Sequence, residues 1–273
     1  MQNILQAPFL LEFCRILNQM YRLGWAERNG GNLSLLLDEG QIAPYLDTER
    51  VARTLPIALN PSDAQALAGR IFLVTGTGCY FRNMLGDPQG NCGVLRVSAD
   101  GRDLQVLWGF EPDGSPTSET LPHLMCHAVR LEADSGHRVV LHTHSPGILA
   151  MTFVHPLDDR SFTRSLWRLN TECIQVFPEG VGVMPWMVGG TSQAAEATAA
   201  KMRETRLVVW PHHGVWGAGR NIDEAFGLVE TAEKHAQLYL SLAHLPRLQQ
   251  LTDDNLRQIA AHFGLTVREE WLV

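Results

Sequence analysis

Two short runs hold the residues whose types and spacing best suit chemistry. Residues 138–147 read RVVLHTHSPG. The apolar, β-branched start predicts a buried strand, and its period of two sends His142 and His144 to one side while Thr143 faces away. Ser145, Pro146 and Gly147 then break the strand, so both imidazoles should stand at the rim of a sheet. An isolated H-x-H is equally a pair of hydrogen-bonded histidines. A second run, residues 206–214, RLVVWPHHG, shifts that balance with another apolar strand, then His212 and His213, then a glycine expected to end it. Three imidazoles from two strand ends would suit a borderline metal such as zinc and leave a coordination position open, as a catalytic site requires.

Other groups become informative beside these histidines. Glu27-Arg28-Asn29-Gly30-Gly31-Asn32 precedes an alternating strand through Leu33, Leu35 and Leu37. Its glycines and amides suit an anion-binding nest or an ordinary turn. A strand over 71–74 runs into Thr75-Gly76-Thr77-Gly78, a second glycine-hydroxyl loop, which matches neither the P-loop nor G-x-G-x-x-G. Thr117 or Ser118 can cap a helix reaching about residue 134, which puts Glu119 in its first turn, as a dipole partner or as an acid/base. His123 and His127 lie four apart on that helix without the H-E-x-x-H glutamate, among Leu124, Met125 and Cys126, and read as structural.

The elements that must position these groups follow from periodicity. Helices are predicted over 8–23, 148–153, 162–169, 191–204, 222–243 and 252–263, the last capped by Thr252 and closed by Gly264. Strands are predicted at 94–98 and 104–109, with Asp100-Gly101 as a hairpin signal, and at 173–177 just after Glu172. Residues 40–70 show no clear period beyond loop and a short helix. No repeat or linker divides the 273 residues, so one domain spanning 1–273 is expected.

Composition excludes several classes. A net charge of −7 without a Lys/Arg cluster argues against nucleic acid, and it would repel small anions unless local N–H groups capture them. No run reaches the roughly 18 apolar residues of a membrane span. Five cysteines, an odd set without C-x-x-C, fit a reducing compartment, and no leader pattern opens the chain, so a cytoplasmic protein is expected. Lys201 and Lys234 are the two lysines, both among polar neighbours on long helices and poorly placed for Schiff-base chemistry.

Together, a metal site beside an anion site with a carboxylate at hand suits polarisation of a carbonyl and proton transfer at the adjacent carbon. The ordered motifs Asn29-Gly-Gly-Asn-Leu-Ser, Val74-Thr-Gly-Thr-Gly, Thr117-Ser-Glu, His142-Thr-His-Ser, Thr171-Glu-Cys, Pro185-Trp-Met and His213-Gly-Val resemble those of the class II sugar-phosphate aldolases over nearly the whole length. The resemblance implies a three-layer α/β/α fold around a mixed, largely antiparallel sheet and a fourfold homotetramer with sites near subunit interfaces. It implies zinc, one per subunit, on His142, His144 and His213, with His213 preferred over His212 because the third ligand directly precedes the glycine. It implies Glu119 as acid/base and Glu172 as a second acid/base or orienting group on the aldehyde side. It places Asn29, Asn32, Gly76, Thr77, Thr117 and Ser118 around the substrate phosphate. Cys79 departs from the pattern, where the family often has a lysine that could assist the phosphate. Within the same superfamily, a sugar-phosphate 4-epimerase or a dehydratase would use the same site. A metal-free interaction module like the adducin head would not need the histidines or Glu119.

Overall fold

The computed structural model describes residues 1–246 and 249–272. The first half contains α1 (Pro8–Arg22), β1 (Asn32–Leu37), α2 (Glu39–Ile42), β2 (Arg53–Pro56), α3 (Pro61–Leu67), β3 (Ile71–Thr75), α4 (Pro88–Asn91), β4 (Cys92–Val97), β5 (Asp103–Gly109) and α5 (Thr120–Ala133). The second half follows with β6 (Val139–Thr143), α6 (Pro146–Val154), α7 (Asp159–Trp167), α8 (Thr171–Val176), β7 (Val181–Val183), α9 (Ser192–Glu204), β8 (Leu207–Trp210), β9 (Gly214–Gly219), α10 (Ile222–Leu242) and α11 (Asp253–Phe263).

The strands form one nine-stranded sheet in the order β2-β5-β4-β3-β1-β6-β9-β8-β7. Its pairs are antiparallel except β7 with β8. Strand alternation divides the core into two faces. Val139 and Leu141 pack with α1, α6, α7, α8 and α10, whereas Val140, between them, packs with residues of α5 and α9. Helices therefore cover both sides of the sheet, the expected three-layer α/β/α arrangement. Central strands are buried on both faces, which is why β1 is buried at every residue although its sequence reads as alternating.

Several local expectations need correction. Residues 173–177 were expected as a strand, but α8 occupies Thr171–Val176. Asn170 caps it by accepting the Glu172 N–H at 2.8 Å, and Cys173, Ile174 and Phe177 then fall on one buried helical face. The short strand in this region is β7, which begins only after Gly180. Residues 40–70 hold α2, β2 and α3, the last capped by Asn60 through the Asp63 N–H. Gly214 does not end the run that carries His213, because it begins β9, the antiparallel partner of β8. Glu119 lies one residue earlier than expected, preceding α5 as its N-cap residue without a side-chain cap bond. Thr191 and Thr252 cap α9 and α11 as expected, and Gly264 closes α11 at φ +64°. No helix among the described residues is long and apolar enough to cross a membrane.

Candidate metal centre and acid/base site

Antiparallel pairing gathers the site at one end of the sheet. His142 pairs with Asn32, so the end of β6 meets the start of β1, while β3 delivers Thr75 beside Leu33. The end of β6 also lies against the start of β9, where Thr143 pairs with Val215. Two bonds to the Trp25 carbonyl hold the outgoing chain, from the Thr143 hydroxyl at 2.6 Å and the His144 N–H at 2.9 Å. His213 comes from the β8–β9 turn, whose backbone bond runs from the His213 N–H to Trp210 O at 3.1 Å.

One ring nitrogen of each of His142, His144 and His213 lies within 4.8 Å of the others. Hydrogen bonding decides which nitrogens face inward. His142 Nδ1–H donates to Val215 O at 3.1 Å, which leaves Nε2 as the lone-pair nitrogen, and this atom is buried with no hydrogen-bond partner. His144 Nδ1–H donates to Glu27 Oε1 at 2.8 Å, freeing its Nε2 in the same way. Such outer bonds fix the tautomer and raise ligand basicity, and a buried bare nitrogen facing two more imidazoles fits a divalent cation. The three histidines are consistent with a single metal site. Burial, reinforced by its histidine neighbours, pushes His142 well below the usual histidine range. Burial and His144 bring His213 down to about 4, so both are neutral and ready to ligate near neutral pH. Glu27 would be raised by burial, but the bond from His144, a backbone bond and the His144 and His213 charges together lower it.

Glycines give the rings their space. A Cβ on Gly214 would stand 2.4 Å from Thr143 O and 3.0 Å from His142 Cε1, and one on Gly30 would stand 2.7 Å from His144 Nδ1. His212 turns the other way, with its N–H on Thr152 Oγ1 at 3.1 Å and its ring against Phe153.

Glu119 is buried beside the triad, with Oε2 3.7 Å from His142 Nε2. Burial raises its pKa, partly offset by the 2.7 Å bond that Oε2 accepts from Asn32 Nδ2. Asn32, expected at the phosphate, thus has its amide engaged by Glu119, and its Oδ1 also meets His123 Nε2. The loops expected around the phosphate are laced together: Thr77 N–H donates to Ser115 O, Thr117 N–H to Thr75 O, and Gly76 N–H to Asn91 O. Asn29, Thr77 and Ser118 are exposed at this rim and Thr117 is buried. Burial, and then Asp87, raises the Cys79 thiol, so this position supplies no charge where a lysine would.

Glu172 is not joined to this group. It is exposed at the start of α8 and lines a cavity of about 530 Å³ with Trp25, Glu230, Glu233 and Lys234, with neither Glu119 nor the triad in its wall. Lys201 is tied to Asp159 at 2.6 Å. Sequence reasoning gave no role to Glu27, and it placed Asn32 and His123 apart from Glu119, which Asn32 meets directly and His123 reaches through Asn32. The only signal was polar residues on a strand and a helix whose every neighbour is apolar.

The class II aldolase and adducin N-terminal domain matches residues 11–240. The rhamnulose-1-phosphate aldolase of Listeria welshimeri is 51% identical over 267 residues, covering 97% of this chain and 95% of its own. That of Escherichia fergusonii is 42% identical over 269 residues, covering 97% of each chain. Among solved structures, a sugar-phosphate aldolase from Thermotoga maritima superposes with a TM-score of 0.74 at 26% identity, covering 88% of this chain and 97% of that one. An L-fuculose 1-phosphate aldolase, at 18% identity, TM-score 0.62 and coverage of 95% and 98%, shares the fold. By the extent of the domain match and by these identities, this chain belongs to the class II aldolase and adducin N-terminal domain family.

Proposed function

We propose that the chain is a zinc-dependent aldolase that reversibly cleaves L-rhamnulose 1-phosphate to dihydroxyacetone phosphate and L-lactaldehyde. The observation that carries this reading is the buried, unpartnered His142 Nε2 facing two further imidazoles, 3.7 Å from a carboxylate whose pKa is raised. The sugar follows the relatives, which are rhamnulose-1-phosphate aldolases at 42–51% identity over nearly their whole length.

His142, His144 and His213 would hold one zinc per subunit. When bound, the ion supplies Lewis-acid polarisation of the ketose carbonyl and stabilises the charge left when a carbon–carbon bond breaks. Glu119 moves the proton. Its Oε2 is held by Asn32, and Oε1 has no hydrogen-bond partner among the described residues, so Oε1 is the atom that exchanges a proton with the carbon next to the carbonyl. Raised by burial, this carboxyl holds a proton more readily than an exposed one, as a group that gives the proton in cleavage and takes it in synthesis requires. Asn29, Asn32, Gly76, Thr77, Thr117 and Ser118 are assigned to the phosphate. Supporting that assignment, the N–H groups of Gly78, Cys79 and Ser118 meet no backbone carbonyl among the described residues, and Gly78 and Ser118 are exposed.

The working form is a cytoplasmic, single-domain subunit in a homotetramer, with sites near the interfaces. In support, Phe153, Val154, Trp186 and Val188 expose 59–67% of their surface, and the Phe153 ring lies at a tilt against His212, which adjoins His213 of the triad. Glu172, outside the site of its own chain, then serves the aldehyde side of a neighbouring one.

The test is release of dihydroxyacetone phosphate from several ketose 1-phosphates, with and without chelator. Release from L-rhamnulose 1-phosphate that chelator abolishes and zinc restores is expected. An epimerase would recover isomerised sugar phosphate with no triose, and a protein that binds no metal would sink the reading.

A further inference from the structure

A row of buried polar side chains runs from Glu119 through Asn32 into the core between β1 and α5. Asn32 Nδ2 meets Glu119 Oε2 at 2.7 Å, Asn32 Oδ1 meets His123 Nε2, His123 Nδ1 meets Ser34 Oγ at 2.7 Å, and Ser34 Oγ meets His127 Nε2 at 2.8 Å. Ser34 and His123 are fully buried and His127 is 1% exposed, so water offers no alternative partners. We propose that His123, backed by Ser34 and His127, is a positioning residue that holds Asn32 and through it the acid/base Glu119.

Donor and acceptor capacity fixes the direction of every bond. A carboxylate only accepts, so Asn32 must turn its NH₂ to Glu119 and its oxygen to His123. His123 must then donate from Nε2. Deep burial keeps this ring neutral, so Nδ1 is a bare acceptor and the Ser34 hydroxyl donates to it at 2.7 Å in preference to the Val140 carbonyl at 3.4 Å. The Ser34 oxygen in turn accepts from His127 Nε2–H. All donors thus point toward the carboxylate, an arrangement in which successive bonds polarise one another and favour negative charge at Glu119.

Asparagine does not pass protons along, so the chain is a clamp and not a relay. It opposes the effect of burial on Glu119 and keeps Oε2 in place while Oε1 works. A purely structural role would require only that each buried group find some partner. The head-to-tail order, ending on the one carboxylate beside the triad, is what a positioning role adds.

The inference rests on the proposed role of Glu119, and the experiment separates the two. The readout is exchange of the carbon-bound proton of dihydroxyacetone phosphate with solvent in the zinc-loaded enzyme, together with kcat and KM for cleavage. His123→Leu removes the donor to Asn32, whereas His123→Gln places an amide N–H near the position of Nε2. We expect His123→Leu to lower exchange and kcat by about 10²-fold, the cost of a slightly misplaced catalytic group, with KM and zinc content within about twofold of wild type. His123→Gln should return to within about tenfold of wild type. Should His123→Leu not fold, Ser34→Ala decides, since it deletes one hydroxyl and leaves the His123 tautomer unspecified. Exchange about tenfold lower at unchanged KM is then expected, equivalent to one lost hydrogen bond. Wild-type exchange in a folded, zinc-loaded His123→Leu or Ser34→Ala enzyme overturns the inference, provided Glu119→Gln has lost exchange. Normal exchange in Glu119→Gln overturns the role of Glu119 and the positioning role with it.

Discussion

His212 and His213 are adjacent and chemically identical, yet one backbone angle gives them different tasks. Pro211 occupies the second position of the turn closed by His213 N–H on Trp210 O, and His212 follows at φ +61°, the combination found in type II turns. That turn sends His212 to Thr152 and Phe153, and His213 inward. His213→Ala should therefore lose zinc and activity together, whereas His212→Ala should keep its metal. Gly214→Ala tests the space beside the rings. Its Cβ would meet the Thr143 carbonyl, which belongs to a central strand and has little room to move, so a loss of about 1–3 kcal/mol in stability and weakened zinc retention are expected. Metal content by atomic absorption and thermal melts of the three variants check these outcomes. Much of this scale was legible beforehand, because H-x-H at a strand end and a histidine followed by glycine are local patterns. The tasks of Glu27, Asn32 and His123 were not, because each is defined by a partner 87 to 117 residues away.

At the scale of elements, long amphipathic helices were readable and short apolar runs were not. Periodicity and caps identified α1, α9, α10 and α11 near their observed bounds. The six residues of α8 carry too few turns to separate periods of 3.6 and 2, and the Asn170 cap settled them as helix. β2 escaped, and α3 was expected only as a short helix without bounds, because neither is long enough to show a period. α11 also illustrates how a peripheral helix is fastened. Asp253 in its first turn accepts from Arg164 at 3.0 Å and Arg168 at 2.9 Å, both close to or on α7. Burial would raise the Asp253 pKa, but the two guanidinium groups overcome it and leave it below 3.8. A depressed folded-state value gives stability that is present above 3.8 and lost as the pH falls through the folded pKa. Because the groups are partly exposed, Asp253→Asn should cost only about 1 kcal/mol near pH 7. Denaturant melts should show the gap between wild type and variant closing below pH 3.8. A gap that widens in acid would mean that another group makes the clasp.

For the molecule as a whole, one sheet buried on both faces carries several histidines into a dry interior. His123, His127 and His137 are 0–4% exposed. Burial, aided by nearby positive groups at His127 and His137, lowers all three, His127 to about 3. His123 and His127, lowered furthest, remain neutral in the folded chain and take up a proton on unfolding once the pH drops below the ordinary value of 6.5, and His137 acts in the same direction. The unfolded state therefore binds more protons, and stability must fall as the pH falls. Each fully contributing group adds a slope of about 1.4 kcal/mol per pH unit, and in the metal-free protein the lowered His142 and His213 add to these. Glu119 works in the opposite sense near its own titration, since its raised pKa lets the folded chain take a proton first. The metal-free protein should thus hold nearly constant unfolding free energy above about pH 7.5 and lose it steeply toward pH 5. Zinc-loaded protein should fall more steeply still, because protons compete for the ligand histidines. His127→Asn, which keeps a polar side chain toward Ser34 without a titrating ring, should reduce the metal-free slope by about 1.4 kcal/mol per pH unit. Urea unfolding at half-unit pH steps measures it, and a flat profile between pH 7.5 and 5, or an unchanged slope in that variant, would show that these histidines protonate without opening the fold.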